Sequence, residues 1–404
     1  MRNRRGLLVL LLFNFSIIIM AQPHELWNKQ YHGNYNIDFA RRMVKDKSGN
    51  FIVTGTSFVT FPNYNSNYEV LTIKYDSSGN QLWIHGDDNP NCMSDDVTGL
   101  IVDDSNNVYL AGIHPNTFLL KYDNSGTKKW SKEITPSYYE DVTLLDKQLC
   151  LDNAGNIYCC IPTWLNGQRH SSIWKYSPNG DLIWSKEFDD LSRTDDRPIS
   201  LIYDHISFLY MTGSAVKTDT NRNYYVVKLD LNGNVIWEKD YGTDTYSSNL
   251  PKKLICGKES DLYLLGRRDT GEEENQINLI KLDTAGNRIW EKIINGGAPY
   301  EDSPHDIIID SLKNIFITGT VYGNNKLYLV EFNKNGEFIW DNSSDDSLFV
   351  DGTGYKLCLD YKNNLYVTGG TFTNGIIGYN MVIFKLDPEK NLRWYIEKNF
   401  SSTG

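Results

Sequence analysis

The sequence predicts an all-β fold, a seven-bladed β-propeller of four-stranded antiparallel blades, and three observations carry that prediction. The first is the string KLDLNGNVIW at 228 to 237, which recurs as KYDSSGNQLW at 74, KYDNSGTKKW at 121, KYSPNGDLIW at 175, KLDTAGNRIW at 281, EFNKNGEFIW at 331 and KLDPEKNLRW at 385. The second is a companion string ahead of each copy, such as MVKDKSGNFIVTG at 43 and LCLDYKNNLYVTG at 357. The third is that helical periodicity is essentially absent. A fixed period in a chain of 404 residues is the mark of a repeat architecture.

Each string reads as two strands joined by a tight turn. Asp, Asn and Gly between the apolar runs supply the turn, since they tolerate positive φ at little cost. Strands such as FIVTG are apolar at nearly every position, so both faces are buried. Two hairpins per unit give four short antiparallel strands. Stacking such sheets face to face around a channel accounts for the two-sided burial. The closing tryptophans, Trp83, Trp130, Trp184, Trp237, Trp290, Trp340 and Trp394, mark the outer strand of each blade.

One count does not close. Trp27, in ELWNKQYHG, is an eighth copy of the outer-strand tryptophan. Residues 22–33 are therefore expected to form an extra outer strand. Either that strand or the hairpin ending at Trp394 completes the last blade; the local hairpin has the smaller closure entropy and is preferred.

The N-terminus reads differently. Arg2, Arg4 and Arg5 precede an apolar run from Leu7 to Met20 and then Ala21, the pattern of a secretory signal peptide over residues 1–21. The run is short for a membrane span, and a twin-arginine reading is the minor one. Residues 22–404 then form one propeller domain, secreted or otherwise extracytoplasmic, in the periplasm or on the cell surface, with no stable membrane insertion. Losing the leader moves the formal charge from −11 to −14, which argues against a nucleic-acid partner. Of the six cysteines, Cys150 and Cys358 share a repeat slot, and small buried thiols are the expectation.

The repeat pattern resembles the bacterial β-propeller repeats called SBBP: an apolar strand, Asp-x-x-Gly-Asn, Tyr-Val-Thr-Gly, then Lys-Tyr-Asp-x-x-Gly and Trp. Residues 46 to 83 carry it most closely, and it extends from about Leu26 to Trp394. The resemblance implies surface or secreted scaffolds. A weaker resemblance, through Asp, Gly and closing Trp, is to the tryptophan-docking repeats of quinoprotein dehydrogenases. There the adjacent Cys159 and Cys160 would match a vicinal disulfide, but they fall in a core-strand slot and read better as core thiols.

Blade length varies between the second and third strands, so one rim carries all the variable loops. That rim is the expected binding face for a protein or carbohydrate ligand. Its exposed aromatic candidates are Phe58, Phe61, Tyr64, Trp164 and Phe372. Eight residues before the first turn aspartate lie Asp38, Asp95, Asp196 and Asp302, which would ring one channel mouth. Such oxygen ligands suit calcium, though a cap on backbone N–H groups is the plainer role and no cofactor is required. Seven scattered histidines assemble no zinc site or nucleophile triad. The expectation is a non-catalytic binding scaffold; the alternative is an enzyme, a polysaccharide lyase or hydrolase or a quinoprotein, using the acidic channel mouth. The lysine before the third-strand aromatic or leucine, present in six blades and replaced by Glu331 in the other, is expected to be an outward or salt-bridged scaffold position of small energetic weight.

Overall fold

The computed structural model describes residues 26–29, 38–60, 66–87, 96–114, 116–134, 148–165, 167–188, 194–218, 221–242, 249–257, 259–269, 275–295, 302–321, 326–344, 351–372 and 379–398. The expected leader lies outside them. Within them the strands form seven four-stranded antiparallel sheets, each in sequence order. The blades span 38–87, 96–134, 149–188, 194–241, 250–294, 303–341 and 352–398. In blade 1 strand a is Asp38–Lys45, b is Phe51–Thr60, c is Ser66–Tyr75 and d is Gln81–Asp87; the other blades repeat this order. The seven-bladed propeller expected from the repeat is what the chain forms.

The turns show why the Asp-x-x-Gly-Asn string is needed. In blade 1, Asp76 Oδ1 accepts the N–H groups of Ser78 and Asn80, both at 2.8 Å, while Asn80 Nδ2 donates to Oδ2 at 2.8 Å. Those bonds, the Asn80 side chain foremost, hold the Asp76 carboxyl below its usual range. Gly79 between them sits at φ +81°, a left-handed conformation open to glycine at little cost. The a–b turn repeats the arrangement with Asp46 and Asn50. These carboxylates are consumed by turn geometry.

Packing between blades is apolar and sequential. Leu201, Met211 and Val227 of blade 4 meet Tyr158, Cys160 and Ile173 of blade 3, and equivalent clusters join blades 1 and 2, 2 and 3, 4 and 5, 5 and 6, and 6 and 7. Among the described residues no such cluster joins blade 7 to blade 1. Cys150, Cys159 and Cys160 are buried, and burial pushes the Cys159 thiol up to about 12. Cys358 departs from the buried expectation: it is exposed, because it faces the junction that lacks a cluster.

Candidate functional site

The lysine column is not outward. Lys74 and Asp46 form an ion pair at 2.8 Å with both side chains wholly buried, and Lys74 also donates to Asn124 Oδ1 of blade 2 at 2.5 Å. In later blades the lysine donates to a backbone carbonyl in the next blade's c–d turn, Lys121 to Pro178 at 2.8 Å and Lys175 to Leu231 at 2.8 Å. The outer-strand tryptophan shares that acceptor: Trp130 Nε1 reaches Pro178 O at 3.1 Å and Trp184 Nε1 reaches Leu231 O at 3.2 Å. The turn glycine underlies the indole, so that a Cβ on Gly126 would stand 2.6 Å from the Trp83 ring. Trp and Lys together lock each of blades 1 to 5 to the next.

Blade 1's own socket is taken by Trp27. Its Nε1 donates to Ser77 O at 3.1 Å, its ring lies 6.0 Å from both Phe51 and Tyr75, and a Cβ on Gly79 would stand 2.5 Å from it. Residues 26–29 form no strand, so in its described part the expected extra outer strand is absent, and a single indole docks instead. The outer strand of blade 7, Leu392–Lys398, is the local hairpin partner of strand c, with Trp394 opposite Lys385.

The rim of b–c loops and d–a connections carries the expected aromatics only in part. Phe58 packs edge-on against Tyr68 at 5.2 Å and is half-buried. Trp164 is 39% exposed and pairs across the hairpin with Arg169. Phe61 and Tyr64 lie outside the described residues, as does the side chain of Phe372. Beside Trp164, the guanidinium groups of Arg169, Arg197 and Arg222 converge on the Asp195 carboxylate, at 2.9 Å for Arg169 and 3.0 Å for Arg197. Asp195 holds φ +53° inside a bulge, a strained conformation kept by these contacts.

Three of the four aspartates lie among the described residues. Asp38 opens strand a of blade 1 opposite Ser57, and Asp95 lies outside the described residues. Asp196 and Asp302 are buried, and the Asp302 N–H donates to Asn275 O of the preceding blade at 2.8 Å, which seats it at a blade junction. Among the described residues no group of three or more His, Cys, Asp or Glu is placed to share a metal ion.

A central cavity of 1030 Å³ is lined by the innermost strands, and its charged side chains are Arg41, Arg42, Lys253 and Lys356 against Asp310. In its described part the cavity lining is cationic, inside a chain of formal charge −11. Five of the lining residues, Arg42, Gly99, Gln148, Lys253 and Lys356, occupy one repeat slot, four before the first turn position; Ser200 and Asp306 hold it in the other two blades. Asp306 is buried, ion-paired with Lys253 and 3.9 Å from Lys356, and accepts the Leu357 N–H at 2.9 Å. Gln148 is fully buried, and among the described residues neither polar atom of its side-chain amide has a hydrogen-bond partner. That shared slot is the signal the sequence carries for the cavity.

No family model matches the sequence, and no curated protein does. Solved structures define the class: a seven-bladed β-propeller. The chain is similar to the propeller domain of the Trilobed protease from Pyrococcus furiosus, described as having an open velcro topology, with TM-score 0.51, 9% identity, and 90% of this chain and 96% of that one covered. It is also similar to the Dos1 propeller, with TM-score 0.53, 10% identity, and 90% and 83% covered. A puromycin hydrolase mutant gives TM-score 0.54 and 8% identity over 90% of this chain and 54% of that one. At these identities the likeness is one of fold.

Proposed function

We propose that this propeller is an exported, non-catalytic binding scaffold of the SBBP type, whose central cavity takes a carboxylate-bearing ligand, an acidic peptide or an acidic oligosaccharide. The observation that carries the reading is Gln148. A buried amide without partners costs about 1–3 kcal/mol, and a polar ligand entering the cavity would relieve that cost. Around it Arg42, Lys253 and Lys356 supply charge of the sign opposite to the chain as a whole. Arginine favours planar, bidentate recognition of carboxylates, and Trp164 beside the arginine cluster extends the same chemistry onto the rim. The reading needs no cofactor, and the repeat resemblance supports a location outside the cytoplasm.

Titration calorimetry with oligoglutamate, oligouronate and neutral oligosaccharides tests it. The expected outcome is salt-dependent binding to one of the acidic probes, weakened roughly tenfold or more by Arg42→Glu. Gln148→Leu is expected to raise the melting temperature while weakening the same binding. Binding confined to neutral probes, or turnover of any probe, would overturn the proposal.

A further inference from the structure

We infer that Trp27 and Trp394 are rival occupants of one socket on blade 1, so that the junction between blades 7 and 1 is a lateral opening of the central cavity that shuts when Trp27 withdraws.

The geometry repeats five times elsewhere. Trp83, Trp130, Trp184, Trp237 and Trp290 each donate Nε1 to a carbonyl in the next blade's c–d turn, at 3.1 to 3.4 Å. Continued around the ring, the same rule sends Trp394 to Ser77 O, the acceptor that Trp27 holds. Lys121, Lys175, Lys228 and Lys281 reach the carbonyl shared with the indole; Lys385 pairs with Asp360 of its own blade at 3.5 Å, as Lys74 and Lys281 pair with Asp46 and Asp261, and among the described residues it has no such carbonyl.

Both faces of this junction are more open than their counterparts. On blade 1, Met43 is 69% exposed, whereas Leu149, Leu201, Leu254 and Ile307 in the same slot are buried. On blade 7, Cys358 is exposed, while its counterparts are buried, as Cys150 and Ile202 are, or half-buried, as Val44, Ile101, Ile255 and Ile308 are. Tyr366 is only half-buried, against fully buried Tyr109, Tyr158 and Tyr210. Met43, Val53, Cys358, Tyr366 and Thr368 all line the central cavity, which makes the opening continuous with it.

Each state offers what the other lacks. With Trp27 docked, one indole is seated and two apolar faces stay partly wet. With Trp394 docked, those faces meet and Lys385 gains the turn carbonyl, at the cost of releasing Trp27. The two states share one acceptor, so anything that binds the N-terminal segment shifts the population toward the closed ring. None of this depends on what the cavity binds.

The test is the alkylation rate of Cys358 in the folded full chain, read by site-resolved mass spectrometry with iodoacetamide. Trp27→Ala is expected to slow it roughly tenfold, because closure buries the thiol and modification then requires local opening. Trp27→Ala with Trp394→Ala is expected to restore the fast rate, and a peptide of residues 22–33 added to the single variant is expected to do the same. An unchanged or faster rate in Trp27→Ala, or a slow rate in the double variant, overturns the inference. Should the alanine variant fail to fold, Trp27→Phe, which keeps a ring and removes the N–H, is read by the same rate.

Discussion

Glu331 of blade 6 and Lys390 of blade 7 form an ion pair at 2.9 Å that reverses the blade-to-blade lock used elsewhere. Glu331 stands where Lys74, Lys121, Lys175, Lys228, Lys281 and Lys385 stand in other blades, and Lys390 stands at the turn position held by Gly79, Gly126 and Gly180. The cation has crossed the junction. Lys390 keeps the left-handed conformation of the glycine it replaces, with φ +69°. Burial pushes the Glu331 carboxyl above its usual range, with Lys390 opposing that shift.

The two exceptions should therefore behave as one. Lys390→Gly alone relieves left-handed strain worth about 1–2 kcal/mol but leaves a buried carboxylate uncompensated, so it is expected to destabilise. Glu331→Lys alone brings two cations together and is expected to do the same. The double variant recreates the arrangement of the other blades and is expected to recover wild-type stability or exceed it. A double-mutant cycle by urea unfolding checks this, and additive losses would rule out the coupling.

Lys74 and Asp46 carry a second prediction. Removing one partner of a wholly buried pair leaves an uncompensated charge and typically costs about 3–5 kcal/mol. Lys74→Met is expected to lose that much. Lys128→Met, which breaks a 2.6 Å pair with Asp87 in which the lysine is 44% exposed, should lose under about 1 kcal/mol. Equal losses in urea unfolding would show that burial does not set the difference.

How far these features could be read in advance depends on whether they are local. The hairpins were legible because Asp76, Gly79 and Asn80 act on one another within five residues, and their period gave the blade count. The depth of Lys74 was not, because a lysine is ordinarily a surface residue and its acceptors, Asp46 and Asn124, come from two different turns, the second fifty positions away. Trp27 was visible as an eighth copy, yet only docking shows that a lone indole without a strand fills the socket. The cationic cavity was not legible, because which strand-a position turns toward the channel is set by the fold and not by residue type. Arg42, Gln148, Lys253 and Asp306 share a slot whose only common property is the direction in which it faces.

His305 gives the protein a pH dependence of definite sign. It packs edge-on against Tyr355 at 5.5 Å, and burial, reinforced by the nearby Lys252 and Lys356 and opposed by Asp306, lowers its pKa to about 4. The fold thus holds a neutral imidazole, while the unfolded chain protonates near 6.5. Below that value the unfolded state binds the extra proton, so the contribution is complete above about pH 6.5 and is lost as the pH falls toward 4. The loss should amount to about 2–3 kcal/mol for a group buried to this degree. His305→Asn, which cannot take up a proton, is expected to flatten the fall in melting temperature between pH 6.5 and 4. A variant whose melting curve tracks the wild type through that window would assign the acid sensitivity to other groups.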